Sequence, residues 1–338
     1  MKASQIIKLA EQTIPAGERI LLVGPPGVGK TAVMQQAAEA AKADFLALHP
    51  VVSDPTDFKG LPAVVDAAEG KSAEFLPYGD LWKMIKAPRR LAVSFEDLGT
   101  ATNATQAAVM QVIWGGYVGL HKISDLVTFN ATTNRRQDRA GVTGLITPLL
   151  DRFTTVLTMD FDLDDWSKWA IQNNMPPFLI AFNRFRPDLI GSFDVNSGRD
   201  MKKSPTPRSV AGIGRLFNRG IFDHEIIAGA VGEAYAAEVL GFYKTWSRIP
   251  DINEIYLNPN FAPLPEEPDV LFALMAALAH HANESNIEQT VTYLRRLGKP
   301  EYGVACIKDA IVKAPEIKRS NAFNKWIMEN REALGYDK

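Results

Sequence analysis

The stretch ILLVGPPGVGKT, residues 20–31 of the 338-residue chain, decides the fold. Its four leading apolar residues favour a strand, and the good helix formers at residues 32–43 favour a helix after the turn. The turn between them matches G-x-x-x-x-G-K-[ST] at every fixed position. Gly24 and Gly29 let the backbone turn tightly and approach a phosphate, because glycine has no Cβ atom. The sequence therefore predicts a phosphate-binding loop between a strand and a helix.

The chemistry of this loop predicts how a nucleoside triphosphate and its magnesium ion would be bound. Backbone N–H groups of the loop and of the first helical turn point at the anion, helped by the helix dipole. Lys30 is expected to reach the β- and γ-phosphates, and the Thr31 hydroxyl is expected to bind Mg²⁺. The predicted ATP-binding residues are Gly24, Pro25, Pro26, Gly27, Val28, Gly29, Lys30 and Thr31.

Composition limits the class of protein. Hydrophobic residues make up 46% and charged residues 22% of the chain, which is typical of globular proteins, and the length favours two or three domains. The net charge of −2 argues against a protein whose main task is to coat nucleic acid, while a local basic channel stays open. Cys306 is the single cysteine, so no internal disulfide can form.

Two further features bear on where the protein resides. The N-terminal residues carry charges where a signal peptide needs an apolar core. The longest apolar run, residues 270–279, is about half as long as a membrane span. We therefore expect a soluble, cytoplasmic protein with no membrane span.

Strands alternate with helices up to residue 160, which predicts a parallel sheet covered by helices on both faces. The predicted strands are residues 20–23, 44–48, 91–95, 126–133 and 155–159. The predicted helices are residues 3–13, 32–43, 80–86 and 102–114. Residues 63–78 and 117–123 interrupt this alternation, and each is interpreted as an insertion that forms a loop or a hairpin. The predicted fold class is therefore α/β.

Four polar residues lie at or just past the C-terminal ends of the predicted strands. They are Thr31, Glu96, Asp97 and Asn134. In parallel sheets, ligands bind beside the C-terminal ends of the strands. The sequence therefore predicts one site that collects all four side chains.

Beyond residue 160 the sequence favours helices only. They are predicted at residues 164–173, 178–185, 207–219 and 224–246, and further amphipathic helices follow from residue 268. Thr206 and Pro207 are a favourable helix start, with the threonine as cap and the proline in the first turn, which places Arg208 at the beginning of a helix. Residues 258–268 contain four prolines and are interpreted as a linker or an extended strap.

The two acids that end the strand at residues 91–95 predict how bound ATP would be hydrolysed. A strand of this kind supplies a carboxylate on the Mg²⁺ side and a base that orients the attacking water. The common order is Asp-Glu, whereas this chain has Glu96 followed by Asp97. Assigned by position, Glu96 takes the metal side, with Thr31 as the other residue of the metal site, and Asp97 takes the water-activating place.

An alternative assignment of these acids stays open. Asp97 is one methylene shorter than the glutamate that is common in its place, and it would hold the water about 1 Å farther away. A misplacement of about 1 Å can cost roughly a hundredfold in rate. If the strand end rotates instead, Glu96 activates the water.

With these motifs in place, the chain resembles the AAA+ ATPases, and within them the MoxR-type group, over residues 1–220. The resemblance is carried by GPPGVGKT (24–31), SDPTDFKGLP (53–62), FED (95–97), NATTN (130–134) and LLDRF (149–153). It implies a P-loop NTPase core at residues 1–160 and a helical lid at residues 161–257. A proline-rich strap and a helical C-terminal extension, residues 258–338, complete the expected order.

The resemblance also implies residue roles outside the loop. Asn134 matches the sensor-1 residue that positions water, Arg152 matches the arginine finger that reaches the neighbouring subunit's nucleotide, and Arg208 matches the sensor-2 arginine of the lid. Arg135 departs from the pattern, because the group usually has proline after the sensor-1 residue. From the residues alone, Arg152 could instead pair with Asp151 at the surface, and Arg208 could be an ordinary helix-start arginine.

Two segments carry weaker expectations. Tyr117, Leu120 and His121 could line a central pore and grip a client, or they could belong to an ordinary hairpin. The arginine-rich loop at residues 135–139 could reach a neighbour's nucleotide or a nucleic-acid strand, or it could be solvated and flexible.

The function implied by the resemblance is that of a Mg-ATP-dependent motor. It would form a homo-oligomeric ring, with six subunits expected, and would remodel a partner protein in the manner of a chaperone. A partner with a von Willebrand factor A domain is implied. A motor or loader stimulated by nucleic acid, and a nucleotide-gated scaffold with very slow hydrolysis, are the alternatives.

Overall fold

The computed structural model describes residues 1–67, 70–138, 141, 144–191, 193–194 and 202–331. The chain divides into two compact units, Met1–Phe161 and Asp162–Lys338. Within the described residues, no helix combines the length and the apolar composition needed to cross a bilayer.

The first unit is an α/β domain. Its strands are β1 (Ile20–Val23), β2 (Asp44–Leu48), β3 (Leu61–Ala67), β4 (Gly70–Leu76), β5 (Leu91–Phe95), β6 (Tyr117–Val118), β7 (His121–Lys122), β8 (Val127–Thr133) and β9 (Thr155–Thr158). Its α-helices are α1 (Ala3–Thr13), α2 (Lys30–Ala40), α3 (Thr56–Lys59), α4 (Asp80–Ile85), α5 (Asn103–Gly115) and α6 (Thr147–Leu150). The predicted alternation of strands and helices is confirmed.

Five strands form one parallel sheet in the order β2-β5-β8-β1-β9. Alternate residues of β1 enter different cores, as the period of two requires. Leu21 packs in a cluster with side chains of α4 and α5, whereas Ile20 and Leu22 pack with side chains of α1 and α2. Helices therefore cover both faces, and the apolar strand sequences are explained by burial on both sides.

Both insertions are hairpins. β3 pairs with β4 and β6 pairs with β7, in each case antiparallel. The two hairpins approach each other closely at Gly119. A Cβ atom on this residue would lie only 2.6 Å from the carbonyl oxygen of Phe75. Gly119 also has a φ of +58°, so both its conformation and its surroundings require glycine.

In its described residues, the second unit has helices and connecting loops but no strand. Its α-helices are α7 (Leu163–Gln172), α8 (Pro177–Phe185), α9 (Pro207–Phe217), α10 (His224–Val231), α11 (Glu233–Thr245), α12 (Ile252–Leu257), α13 (Pro268–His281), α14 (Ile287–Leu297), α15 (Pro300–Lys313) and α16 (Asn321–Glu329). The single helix predicted at residues 224–246 is wrong. Gly232, with a φ of 88°, ends α10 and precedes α11, because only glycine adopts this conformation without strain.

The core of the second unit contains helices from the predicted lid, residues 161–257, and from the predicted extension, residues 258–338. The apolar helix α13 packs against α8 on one side and α15 on another. Arg184 of α8 and Asp309 of α15 form a largely buried ion pair beside this packing. The division into a lid and an extension at residue 257 stays a prediction.

Candidate nucleotide-binding site

The glycine-rich turn connects β1 to α2 at the C-terminal edge of the sheet. The N–H group of Gly24 donates to the carbonyl oxygen of Thr133 over 3.2 Å. A Cβ atom on Gly24 would lie 2.9 Å from the carbonyl oxygen of Met159, so this position has no room for a side chain. Gly29 has a φ of 105° and precedes α2 without a side-chain cap. The amides at the start of a helix point outward and attract anions.

Lys30 connects the turn to the end of β8. The residue is only 7% exposed. Its ammonium group donates to the carbonyl oxygens of Gly24 and Pro25, each over 3.1 Å, and to Oδ1 of Asn134 over 2.6 Å. The predicted phosphate-contacting lysine and the predicted sensor-1 asparagine therefore touch each other in the folded chain.

Glu96 lies at the centre of the cluster and is 2% exposed. Its Oε2 atom accepts hydrogen bonds from the hydroxyls of Thr31, at 2.5 Å, and Thr132, at 2.7 Å. Its Oε1 atom accepts a hydrogen bond from the hydroxyl of Ser94 at 2.6 Å. The carboxylate is thus directed into the protein and against the loop threonine.

Asp97 is directed differently, although it is the next residue. It is exposed and adopts a left-handed backbone conformation, with φ 52° and ψ 35°. Its N–H group donates to the Thr132 hydroxyl over 3.2 Å, and its Oδ1 atom accepts from Nδ2 of Asn134 over 3.3 Å. The unusual backbone conformation separates the two acids, so that one faces Thr31 and the other faces Asn134.

These contacts bring five predicted site residues into one cluster: Lys30, Thr31, Glu96, Asp97 and Asn134. The sequence reasoning did not single out Ser94 and Thr132, which are fully buried and hydrogen-bond to Glu96. Ser94 is the one polar residue of β5, and that is its signal, whereas Thr132 lies in a strand with several polar residues. Buried hydroxyls need partners, and a neighbouring carboxylate supplies one.

The cluster is compatible with a divalent cation. The hydrogen bonds that Glu96 accepts within the described residues come from neutral hydroxyls. A buried carboxylate is costly unless positive charge compensates it. Hydroxyl and carboxylate oxygens are also the protein ligands that Mg²⁺ prefers. Thr31 and Glu96 are therefore suited to the magnesium ion of a bound nucleotide.

Arg152 lies in the turn after α6 and belongs to none of the contacts of this cluster described above. The carbon at the centre of its guanidinium group is 3.7 Å from the centre of the Trp114 ring. Its Nε atom is buried and has no hydrogen-bond partner among the described residues. Among the described residues it forms no ion pair with Asp151 or with another acid, so the surface pairing weighed from the sequence is not observed.

The other candidate arginines have different surroundings. Arg208 is exposed at the second position of α9, which Thr206 caps by accepting a hydrogen bond from the N–H group of Ser209. Arg135 binds both carboxylate oxygens of the buried Asp138, over 3.0 and 2.9 Å, and this contact raises the pKa of Arg135. Arg135 is therefore part of the local structure of its loop.

Two sets of residues with weaker expectations remain, the arginine-rich loop and the hairpin residues that could line a pore. Arg139 lies outside the described residues. Tyr117 and Leu120 are exposed on the hairpin of β6 and β7, and the His121 ring packs edge-on against Trp82.

The segment that contains the glycine-rich turn matches a known protein family. Residues 20–54 match the model of the ATPase family associated with various cellular activities (AAA). This match supports ATPase activity in general, and it does not distinguish the MoxR-type group, which stays a prediction. No curated protein matches the chain.

Solved structures to which the chain is similar include RuvB of Thermotoga maritima, described as a Holliday junction branch migration motor. It is 15% identical, with a TM-score of 0.39, and the match covers 81% of this chain and 81% of that chain. NtrX of Brucella abortus in complex with ADP is 12% identical, with a TM-score of 0.38 and coverage of 63% of this chain and 48% of that chain.

Proposed function

We propose that this chain is a Mg-ATP-dependent AAA+ ATPase that works as a ring and remodels a partner protein. The observation that carries the proposal is the 2.5 Å contact between the Thr31 hydroxyl and the Glu96 carboxylate. It joins the phosphate loop to the acid at the end of β5. In P-loop NTPases, a loop serine or threonine and a strand-end acid hold the magnesium ion together.

ATP binding is assigned to the loop at residues 24–31 and to the start of α2. The amides at the N-terminus of α2 would bind phosphate oxygens, and Lys30 would exchange its carbonyl partners for the β- and γ-phosphates. Mg²⁺, when bound, neutralises phosphate charge and orients the triphosphate. Thr31 and Glu96 would hold it there.

Water activation is assigned to Asp97, with Asn134 as the residue that positions the water. Glu96 is enclosed by three hydroxyls, whereas Asp97 is exposed and hydrogen-bonds to Asn134. A base must reach a water molecule beside the γ-phosphate, and an exposed carboxylate meets that condition better than an enclosed one. The short Asp97 side chain is consistent with slow hydrolysis.

Completion of the site by a neighbour is assigned to Arg152, with Arg208 as the proposed sensor-2 residue. The absence of an acidic partner within the described residues leaves the Arg152 guanidinium able to bind an anion from outside the chain. A guanidinium supplied in trans increases the rate of nucleotide hydrolysis by about 10³ to 10⁵. We propose a homo-oligomeric ring, with six subunits, as the arrangement that brings it to a neighbour's ATP.

A protein client is supported by the apolar surface of the two hairpins. Val64, Phe75, Tyr117 and Leu120 are all exposed there, and the hairpins contact each other through Gly119. Large apolar side chains that remain exposed together are typical of protein-binding surfaces. A von Willebrand factor A partner and a cytoplasmic location rest on the sequence alone.

The proposal is tested by the steady-state ATPase rate per subunit, measured against protein concentration for the wild type and for Arg152→Ala. We expect the wild-type rate to rise with concentration as rings form, and the variant to lose about 10³-fold or more at every concentration. Phe261→Ala, which removes an aromatic side chain that is 86% exposed in the second unit, serves as the control and should retain the wild-type rate. An unchanged rate in Arg152→Ala would contradict the proposal.

Two additions to this assay separate the alternatives. Stimulation by DNA that disappears as salt is raised would indicate a nucleic-acid motor, because phosphate contacts are salt-dependent. Tight ATP binding with no turnover at any concentration would indicate a nucleotide-gated scaffold.

A further inference from the structure

Trp114 and Arg152 form a stacked pair on the surface of the first unit. Trp114 is the penultimate residue of α5, and Arg152 follows α6. The guanidinium carbon is 3.7 Å from the centre of the indole ring, yet Trp114 remains 63% exposed. Because α5 and α6 pack against each other in one core, the pair is mounted on two fixed elements.

Within the described residues, the guanidinium group of Arg152 makes no hydrogen bond in this stacked arrangement. Its Nε atom is buried without a partner, and among the described residues the guanidinium makes no ion pair. The backbone of Arg152 makes two hydrogen bonds: its N–H group donates to the carbonyl oxygen of Leu149 over 3.1 Å, and its carbonyl oxygen accepts from Nη1 of Arg19 over 3.4 Å. Because Nε is buried, an anion from another molecule would meet the guanidinium at its terminal amino groups, Nη1 and Nη2, which form no ion pair within the described residues.

The geometry of a guanidinium explains why stacking matters. An aromatic ring holds the group by its flat face, whereas carboxylates and phosphates bind the N–H groups at its edge. An ion pair with Asp151 would restrain Arg152 but occupy that edge. Contact with Trp114 restrains Arg152 and keeps the edge open for a phosphate.

We propose that Trp114 is the positioning residue for Arg152 and holds its guanidinium, edge outward, for the ATP bound by a neighbouring subunit. This inference rests on the proposed function, since it requires a ring in which Arg152 acts in trans. Trp114 contacts no substrate in this arrangement and acts through Arg152 alone.

The first experiment compares kcat and KM for ATP in Trp114→Ala, Trp114→Phe, Arg152→Ala and the double variant Trp114→Ala/Arg152→Ala. We expect Trp114→Ala to lower kcat about tenfold, through loss of the cation–π contact and of the fixed orientation. KM should stay constant, because the nucleotide is bound by another subunit. Trp114→Phe should restore most of kcat, because it restores an aromatic face.

The double variant distinguishes positioning from a general structural effect. If Trp114 acts through Arg152, the double variant should be no slower than Arg152→Ala alone. Phe261→Ala, an exposed aromatic truncation in the second unit, is the matched control and should leave kcat unchanged. Thermal unfolding of each variant verifies that the fold is retained.

A mixing experiment tests the action in trans. Lys30→Ala subunits keep Trp114 and Arg152 but lose their own nucleotide site, whereas Trp114→Ala subunits keep their nucleotide site. In mixed rings, an intact pair would face an intact site, so the rate should exceed the sum of the two separate rates.

The outcomes separate this inference from the proposal on which it rests. If Arg152→Ala collapses the rate while Trp114→Ala retains it, the positioning role is wrong and the ring ATPase stands. If Arg152→Ala is as active as the wild type, both are wrong. Additive losses in the double variant, or an increase of kcat in Trp114→Ala, would also overturn the positioning role.

Discussion

Two buried carboxylates, Glu96 in the first unit and Asp309 in the second, are held in opposite ways. Glu96 is 2% exposed and accepts hydrogen bonds from three neutral hydroxyls, those of Thr31, Ser94 and Thr132. Asp309 is 5% exposed and accepts both of its hydrogen bonds from the guanidinium of Arg184, the one between Nη2 and Oδ1 measuring 2.8 Å.

The difference separates a site from a structural contact. A buried ion pair compensates its own charge and remains closed to other ions, whereas neutral hydroxyls supply no counter-charge to a carboxylate. A carboxylate's charge is compensated when a cation arrives, and hydroxyl oxygens can bind the cation as well. On this view, Asp309 holds α15 against α8, whereas Glu96 is available to bind a cation.

The largest expected effect is a loss of activity without a loss of stability in Glu96→Gln. We expect the ATPase rate to fall about a thousandfold, because the amide cannot compensate a magnesium ion. The free energy of unfolding should change by less than about 1 kcal/mol, because the amide is isosteric and the hydroxyls can rotate to accept from it. Urea unfolding and steady-state hydrolysis measure the two quantities on the same preparation. A strongly destabilised variant that still hydrolyses ATP would place Glu96 with Asp309 as a structural acid.

The second effect is the converse, a loss of stability in Asp309→Asn. Removal of one partner leaves the Arg184 guanidinium buried without its counter-charge, at a cost of about 3 kcal/mol in urea unfolding. The control replaces both partners by apolar residues, Arg184→Met with Asp309→Leu, and should recover most of the loss. If the double variant is no more stable than Asp309→Asn, the pair contributes through its packing and the contrast with Glu96 weakens.

The third effect concerns Asp97, which the sequence left as one of two candidates for the base. Asp97→Asn should lower kcat about a hundredfold while ATP affinity, measured by titration calorimetry, stays constant. The asparagine can still hydrogen-bond to Asn134, so the position of its neighbour is maintained. Asp97→Glu, which keeps the carboxylate, is the matched control. A larger effect on ATP affinity than on kcat would assign Asp97 to the metal.

The smallest effect is expected for Thr132→Val, which removes one of the hydroxyls around Glu96. The valine has nearly the same shape, but the N–H group of Asp97 loses its acceptor and Glu96 loses one donor. We expect a loss of about 1 kcal/mol in the free energy of unfolding. A loss as large as that of Asp309→Asn would show that the hydroxyls hold Glu96 as firmly as a cation would.

Much of the fold was predictable from local sequence patterns. The strands at residues 44–48 and 91–95 were predicted to the residue, because short apolar runs there are bounded by charged or turn-forming residues. The helix at residues 224–246 was predicted without its break, because a glycine within a helical pattern does not reveal its φ angle.

The candidate site was predictable in part. Lys30 carries its signal in the phosphate-loop motif, and Glu96 and Asn134 carry theirs in their place directly after a strand. The contacts of Ser94 and Thr132 with Glu96 have no such signal, because the contacts of a strand residue depend on the register of its neighbours. The stack of Trp114 on Arg152 joins separate elements and has no local pattern at all.

The sequence by itself determined the order of strands and helices, the phosphate-loop motif and the acids that end β5, since each depends on residues adjacent in the chain. Only the tertiary structure decided that Glu96 faces the Thr31 hydroxyl while Asp97 faces Asn134. It also decided that Arg152 stacks on Trp114 and leaves Asp151 unpaired with it. The physical reason is that composition and periodicity determine which residues are buried. The partners of a side chain depend instead on sheet register and backbone conformation, and these depend on contacts between distant parts of the chain.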